Sequence, residues 1–295
     1  MPGALDIVIN LHTPEVLAIR PAWYKDKEFI GGKIAADEEI VNGLPIEKYI
    51  ERMDRAGIQM AFIAAAKSGS IGHPANWHLP YEMVAEVVKK YPTRFKGLAG
   101  IDPNESMEGV RKLEYAIREL GFVGAHLYPH WFEMSPTHRK YYPFYAKCAE
   151  LGVPIQMQVG HCLVYSKDRP LRSVGRPITL DTIACDLPEL KIIGIHTGWP
   201  WVEKMISVAW KHPNVYIGSD AYGPKYWKPE FINFINSWGQ DKVLFGTDFP
   251  IVDFEHATRE INALGLRDHA KEKLLWKNAA RVYGLDRKEG FELEK

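Results

Sequence analysis

The chain contains 295 residues, and its 37 Lys and Arg residues are balanced by 37 Asp and Glu residues, so the formal net charge is zero with neutral histidine. This balance argues against a basic nucleic-acid-binding protein and against a polybasic or acidic tail. A composition of 46% hydrophobic and 25% charged residues is typical of a globular protein with a sizeable core. Length alone permits two domains or one (β/α)₈ barrel, which needs about 250 residues.

The number of cysteines and the lengths of the apolar runs indicate the cellular compartment of the protein. Cys148, Cys162 and Cys185 are an odd number without CxxC spacing, so neither a disulfide framework nor a zinc ribbon is indicated. No apolar run approaches the roughly 20 residues of a membrane-spanning helix, and the first ten residues carry no basic signal-peptide region. We therefore predict a cytoplasmic protein without membrane or nucleic-acid partners.

Eight short aliphatic runs recur along the chain, each followed by a polar or glycine-containing loop, which is the pattern of buried parallel strands. The predicted strands are Leu5–His12, Ile58–Ala65, Phe95–Asp102, Phe122–Pro129, Val153–Gly160, Lys191–Gly198, Val215–Ala221 and Lys242–Asp248. Helical periodicity falls between them, at Ile46–Ala56, Glu82–Lys90, Met107–Leu120, Tyr142–Leu151 and Trp201–His212. Eight strands alternating with helices predict a closed (β/α)₈ TIM barrel, and no GxGxxG follows the first strand to indicate a dinucleotide-binding sheet.

No linker, low-complexity stretch or charge run divides the chain, so a single α/β domain over residues 1–295 is predicted. Its two long loops, Thr13–Pro45 after the first strand and Cys162–Pro177 after the fifth, are rich in Pro, Gly, Trp and Tyr. Both loops belong to the face where barrel enzymes carry their active sites. Their aromatic residues suit a flat ligand and are compatible with a homodimer.

Polar residues that bind metals or move protons follow the ends of most predicted strands. Asn10 and His12 share one face of the first strand, because side chains alternate along a strand. His161 follows the fifth strand, and His196 and Asp248 end the sixth and eighth. Any one of them alone could be a packing or capping residue. Their recurrence at successive strand ends predicts one site at the barrel mouth.

Two motifs and a closing segment resemble a known family. They are Ile195–Pro200 (IHTGWP), Phe245–Pro250 (FGTDFP) and Asn278–Tyr283 (NAARVY), which accompany His12 on the first strand. Together they resemble the amidohydrolase superfamily, in particular the amidohydrolase-2 group that includes aminocarboxymuconate-semialdehyde decarboxylase and the resorcylate-type decarboxylases. The resemblance runs over almost the whole chain and implies a distorted TIM barrel with one divalent metal ion at its mouth.

By the family pattern, Asp248 is a metal ligand or proton carrier and His196 lies near metal and substrate, so these two are the predicted catalytic pair. The chain departs from that pattern at two positions. Asn10 replaces the first residue of the usual His-x-His, where resorcylate-type members have Glu, and Gln158 aligns with the usual strand-five histidine. Because a neutral amide is a poor zinc ligand, a metal-free enzyme stays an alternative. The predicted ligands of one divalent ion, zinc or manganese, are His12, His161, His196 and Asp248.

Two enzymatic reactions fit these residues. In a decarboxylase of a small aromatic or conjugated carboxylate, Asp248 or His196 protonates the carbon that loses CO₂. In a hydrolase of an ester, lactone or amide, Asp248 instead activates a water molecule. The guanidinium of Arg176 and the aromatic loops favour decarboxylation of a small anionic or aromatic substrate, and a non-catalytic barrel is a third alternative. The predicted substrate-binding residues are Asn10, His126, Tyr128, Gln158 and Arg176.

Overall fold

The structure is a computed structural model that describes residues 3–26 and 38–286. Within these residues the strands, in chain order, are β1 (Ala4–Ile9), β2 (Ile58–Ala65), β3 (Lys67–Ser68), β4 (Trp77–His78), β5 (Phe95–Gly100), β6 (Gly124–Leu127), β7 (Ile155–Gln158), β8 (Ile192–Ile195), β9 (Val215–Gly218) and β10 (Val243–Leu244). The pair β3 and β4 forms a separate antiparallel hairpin, and the other eight form one sheet in the order β1-β2-β5-β6-β7-β8-β9-β10. Neighbouring strands of this sheet pair in parallel.

The sheet closes on itself between its first and last strands. The backbone N–H of Asp248 donates to the carbonyl of Val8 at 3.0 Å, and that of Asn10 donates to the carbonyl of Phe249 at 2.8 Å. These bonds continue past the two residues of β10 and bring Asn10 beside Asp248. The predicted TIM barrel is therefore confirmed; that a single domain occupies all of 1–295 stays a prediction.

Helices lie between the barrel strands, as the periodicity predicts. Ile46–Ala56 has the predicted bounds, and the other four predicted helices differ by one or two residues at one or both ends. In the described part of the chain no helix is long and apolar enough to cross a membrane; the cytoplasmic location and the homodimer stay predictions. The α-helices are Pro14–Ile19, Glu38–Asn42, Ile46–Ala56, Tyr81–Lys90, Ser106–Arg118, Pro129–Phe132, Tyr142–Glu150, Thr179–Asp186, Val202–Lys211, Pro229–Asn236, Phe254–Ala263, Asp268–Glu272 and Asn278–Tyr283.

Seven of the eight predicted barrel strands end earlier than predicted, and at three of them this changes where the polar residues lie. Because β1, β8 and β10 stop before His12, His196 and Asp248, these residues lie in the segments that follow the strands. His196 begins a short 3₁₀ turn with a left-handed φ of 67°, and Asp248 has a left-handed φ of 55°. A left-handed backbone conformation raises the conformational energy of residues other than glycine, and residues in this conformation are concentrated at functional sites.

The first long loop and the segment after β2 contain structure that the sequence pattern does not reveal. The first carries the helix Pro14–Ile19 and the 3₁₀ turn Ala22–Lys25, and its residues 27–37 lie outside the described residues. The hairpin of β3 and β4, which the sequence does not predict, contributes Ser68 and Trp77 to the barrel mouth. The mouth is thus walled by segments far apart in sequence.

A buried carboxylate fastens the turn before Asp248 to β1. Asp6 is fully buried and accepts hydrogen bonds from the backbone N–H of Val8 at 3.2 Å, and from the backbone N–H and the hydroxyl of Thr247 at 3.1 and 2.5 Å. Its removal would leave three buried donors without an acceptor.

We expect Asp6→Ala to lower the free energy of unfolding by about 3 kcal/mol or more, because each unpaired buried donor costs roughly 1–3 kcal/mol. Urea denaturation measures this loss. Asp6→Asn, which keeps an acceptor oxygen, should lose less. A loss below about 1 kcal/mol for Asp6→Ala would show that Asp6 does not hold the turn.

Candidate active site

A cavity of about 310 Å³ opens where the barrel strands end. This is at the lower limit of small-molecule pockets, which span about 300–1,000 Å³, and suits a ligand with a single ring. Its aromatic lining residues are Trp23, Tyr24, Trp77, Tyr128, Trp131 and Tyr222. Its principal polar lining residues are Asn10, Arg20, Gln158, His161, His196 and Asp248.

A buried imidazole and two buried carboxylates meet after β8, β9 and β10. Nε2 of His196 lies 3.3 Å from Oδ2 of Asp220 and 3.5 Å from Oδ2 of Asp248. One potential ligand atom from each residue lies within 4.8 Å of the other two. Nε2 of His196 and Oδ2 of Asp220 are buried and make no hydrogen bond within the described residues. This donor set, with two orphaned atoms, could hold a divalent metal ion.

Burial sets the protonation of this group. Desolvation lowers the pKa of His196 to about 3, and nearby His126 and His130 add to the effect, so the imidazole is neutral. Desolvation raises the pKa of Asp220 to about 7 and, with the neighbouring Asp220 charge, raises the pKa of Asp248 well above its usual range. No Lys or Arg of the described chain forms an ion pair with either carboxylate. A divalent cation would supply the missing counter-charge.

Two amides orient this group from neighbouring strands. The Nδ2 of Asn10 donates to Oδ1 of Asp248 at 2.7 Å. The amide nitrogen of Gln158 lies 3.0 Å from Nδ1 of His196. At the two positions where the family pattern predicts metal ligands, this chain therefore places hydrogen-bonding partners of the predicted catalytic pair.

The other two predicted ligands lie apart from this group. His12 is buried and does not line the cavity; its Nε2 is 2.6 Å from the hydroxyl of Tyr24. His161 lines the cavity, but its Nδ1 is 2.6 Å from the hydroxyl of Ser173. Neither histidine belongs to a described group of three clustered ligand atoms. The structure thus assembles two of the four predicted ligands, and the roles of His12 and His161 stay predictions.

Two of the predicted substrate-binding residues lie outside the cavity. His126 is buried below it, with Nδ1 2.8 Å from the amide of Gln156. Arg176 is exposed, and its guanidinium lies over the ring of Trp201 at 4.4 Å. The predicted substrate-binding residues that line the cavity are Asn10, Tyr128 and Gln158.

The structure brings Arg20 to the cavity wall, where the sequence predicts no functional residue. Its side chain is buried, and its guanidinium carbon lies 4.2 Å from the ring centroid of Tyr24 and 3.5 Å from that of Trp77. One N–H group donates to the carbonyl of Leu11 at 3.4 Å, whereas Nε has no partner and no described carboxylate pairs with the guanidinium. Desolvation lowers the pKa of Arg20. A desolvated guanidinium beside a small cavity is suited to bind a carboxylate.

Comparison with known proteins shows which family this chain belongs to. A family model described as amidohydrolase matches residues 6–285. The chain belongs to the amidohydrolase family. Gamma-resorcylate decarboxylase of Polaromonas sp. (strain JS666) is 25% identical over 256 residues, which cover 70% of this chain and 75% of that protein. The resemblance expected from the motifs is therefore confirmed.

Solved structures share the fold of this amidohydrolase over nearly its whole length. An uncharacterised TIM-barrel protein, Bb4693 from Bordetella bronchiseptica, is similar with a TM-score of 0.77 and 26% identity, covering 97% of this chain and 99% of that one. Dihydroxybenzoic acid decarboxylase of Polaromonas sp. JS666, with bound manganese and the inhibitor 2-nitroresorcinol, has a TM-score of 0.66 and 19% identity, with 99% of each chain covered. At that identity the second comparison concerns the fold alone.

The sequence prediction for this amidohydrolase does not include Asp220 or Arg20. Asp220 is the last residue but one of the predicted strand Val215–Ala221, so its place near a strand end was a usable signal. Arg20 gives no signal, since one arginine in a Pro-rich and aromatic loop is ordinary. Only the packing of Tyr24 and Trp77 around it shows that it is buried.

Proposed function

We propose that this amidohydrolase is a metal-dependent, non-oxidative decarboxylase of a small aromatic carboxylate. The observation that carries the proposal is the cavity itself, in which aromatic walls and the desolvated guanidinium of Arg20 accompany the His196 and Asp248 pair. The gamma-resorcylate decarboxylase of Polaromonas sp. to which the chain is similar supports the same reaction class.

In the proposed complex, Arg20 binds the substrate carboxylate through parallel N–H···O hydrogen bonds. Aromatic walls that include Trp131 and Tyr128 pack against the ring. Burial raises the pKa of Tyr128 well above its usual range, so its hydroxyl stays protonated and donates to a substrate oxygen. These contacts orient the carboxylate-bearing carbon toward Asp248.

The donor set fits a single divalent ion, manganese or zinc. His196 and Asp248, two of the predicted ligands, would hold it, because their clustered ligand atoms are buried and form no ion pair with a Lys or Arg of residues 3–26 and 38–286. When bound, the ion supplies positive charge that stabilises negative charge on the substrate oxygens.

Asp248 is the proposed proton carrier. Asn10 fixes Oδ1 of Asp248, and Oδ2 faces His196 and the proposed ion. The carboxyl proton passes from Oδ1, the oxygen that does not face the ion, to the ring carbon that bears the carboxylate. The bond between that carbon and the carboxylate then breaks, its electron pair returns to the ring, and CO₂ leaves. A proton from solvent restores Asp248, so the reaction needs no oxidant or reductant.

The reaction class is tested by incubating the purified protein and Mn²⁺ with a series of mono- and dihydroxybenzoates. We expect at least one acid to release CO₂ and to yield the matching phenol, both measured by chromatography and CO₂ detection. The methyl esters of the same acids serve as controls, because their blocked carboxylates cannot leave as CO₂. Hydrolysis of esters or lactones without CO₂ release from any acid would instead indicate a hydrolase.

A further inference from the structure

Asp220 is a buried carboxylate in direct contact with the proposed catalytic pair. It is fully buried; its Oδ1 accepts a hydrogen bond from the backbone N–H of His196 at 3.2 Å, and its Oδ2 makes no hydrogen bond within the described chain. We infer that Asp220 is a third protein ligand of the divalent ion, a position that the sequence assigns to His12 or His161. This inference rests on the metal dependence proposed above.

The distances around His196 match one shared ion. Ligand atoms about 2.1 Å from the same ion lie about 3–3.5 Å apart in octahedral or tetrahedral geometry. Oδ2 of Asp220 and Oδ2 of Asp248 lie 3.3 and 3.5 Å from Nε2 of His196. The three residues follow consecutive barrel strands, so the rigid sheet fixes their spacing.

The backbone around Asp220 leaves room for its carboxylate. A Cβ atom at Gly218 would lie 2.6 Å from Oδ1 of Asp220, and one at Gly246 would lie 2.9 Å from its Cβ. Real Cβ atoms do not approach this closely, so glycine at both positions creates the space that Asp220 occupies. Together with the bond from the His196 backbone, this cradle holds Oδ2 toward Nε2 of His196.

Each alternative ligand has one ring nitrogen engaged elsewhere, and Nδ1 of His12 is buried without a hydrogen-bond partner among the described residues. Nε2 of His12 is held by the hydroxyl of Tyr24, and Nδ1 of His161 by the hydroxyl of Ser173, each at 2.6 Å. Coordination through Nε2 of His196 requires the ring proton on Nδ1. The amide nitrogen of Gln158 lies 3.0 Å from this nitrogen, and an amide turned by 180° would place its oxygen there to accept a hydrogen bond from the Nδ1–H group.

The decisive measurement is Mn²⁺ binding to the full chain without substrate, followed by the electron paramagnetic resonance signal of free Mn²⁺. We expect Asp220→Asn to weaken Mn²⁺ binding by about 100-fold or more, since losing even a residue that only supports a ligand costs about 10–100-fold. The matched variants His12→Asn and His161→Asn should stay within about threefold of the wild type. Circular dichroism verifies that each variant is folded.

Three results would overturn the inference: unchanged Mn²⁺ affinity in Asp220→Asn, a selective loss in His12→Asn or His161→Asn, or no binding of Mn²⁺ or Zn²⁺ by the wild type. If Asp220→Asn does not fold, anomalous diffraction from manganese-soaked wild-type crystals locates the ion directly, at Asp220 or at His12. An active decarboxylase with its ion at His12 contradicts only this inference. An ion at Asp220 in a protein that releases no CO₂ contradicts only the proposed function.

Discussion

Replacing Arg20 with methionine is expected to raise KM for aromatic carboxylates by about 100-fold or more, with kcat within about tenfold of the wild type. Charge-assisted hydrogen bonds contribute about 1.5–3 kcal/mol each, and about 1.4 kcal/mol corresponds to a factor of ten. Because Arg20 has no carboxylate partner within the described chain, its binding capacity is available to a ligand. Steady-state kinetics with the best hydroxybenzoate measures the change.

The same substitution should leave the protein folded. An unpaired buried cation is costly, and methionine can fill the space between the rings of Tyr24 and Trp77. The melting temperature of Arg20→Met should therefore be close to that of the wild type or above it. Arg111→Met, at an exposed arginine on an outer helix, is the matched control and should change neither KM nor stability.

Arg176→Met tests the alternative that the sequence favours. The exposed position of Arg176 over Trp201 predicts an unchanged KM. A large rise in KM for Arg176→Met with none for Arg20→Met would transfer the carboxylate-binding role to Arg176 and contradict the proposed substrate geometry.

The barrel was predictable because a parallel strand buried on both faces must be a continuous apolar run, and such runs are visible in sequence. The ends of the strands were not. Of the predicted strand Lys242–Asp248, only Val243–Leu244 pairs as β10. Phe245 and Asp248 bond to β1 through separate backbone hydrogen bonds. An apolar segment has the same sequence pattern whether its backbone hydrogen bonds form a regular strand pairing or only close the barrel.

The candidate site was predictable where the barrel backbone itself holds the residue. His196 directly follows β8, and Asp248, four residues after β10, is held by the bond from its backbone N–H to Val8, so the structure brings the two together. His12 comes three residues after β1 ends, where the alternation of side chains no longer sets direction, and it turns to Tyr24 instead. The role of Arg20 depends on aromatic rings from two distant segments, and no local pattern encodes such packing.

Asp248→Asn is expected to lower kcat by about 1,000-fold or more, because a positioned proton donor contributes about 10²–10⁴ to the rate and an amide cannot supply that proton. The asparagine keeps the size of the side chain and an oxygen that accepts the bond from Asn10. Substrate affinity, followed by quenching of tryptophan fluorescence in the cavity, should change far less than kcat. Single-turnover CO₂ release at saturating Mn²⁺ separates the chemical step from weaker ion binding.

Asp253→Asn is the matched control for this experiment. Asp253 lies five residues further along the same segment and caps the helix Phe254–Ala263 by accepting from the backbone N–H of His256 at 3.2 Å. Its substitution should lower stability slightly and leave CO₂ release unchanged. Near-normal turnover in Asp248→Asn would mean that Asp248, like Asp253, has only a structural role and does not carry the transferred proton. A folded Asp248→Asn variant that binds substrate but releases no CO₂ would instead assign the transferred proton to this carboxyl group, because the variant preserves the contact with Asn10.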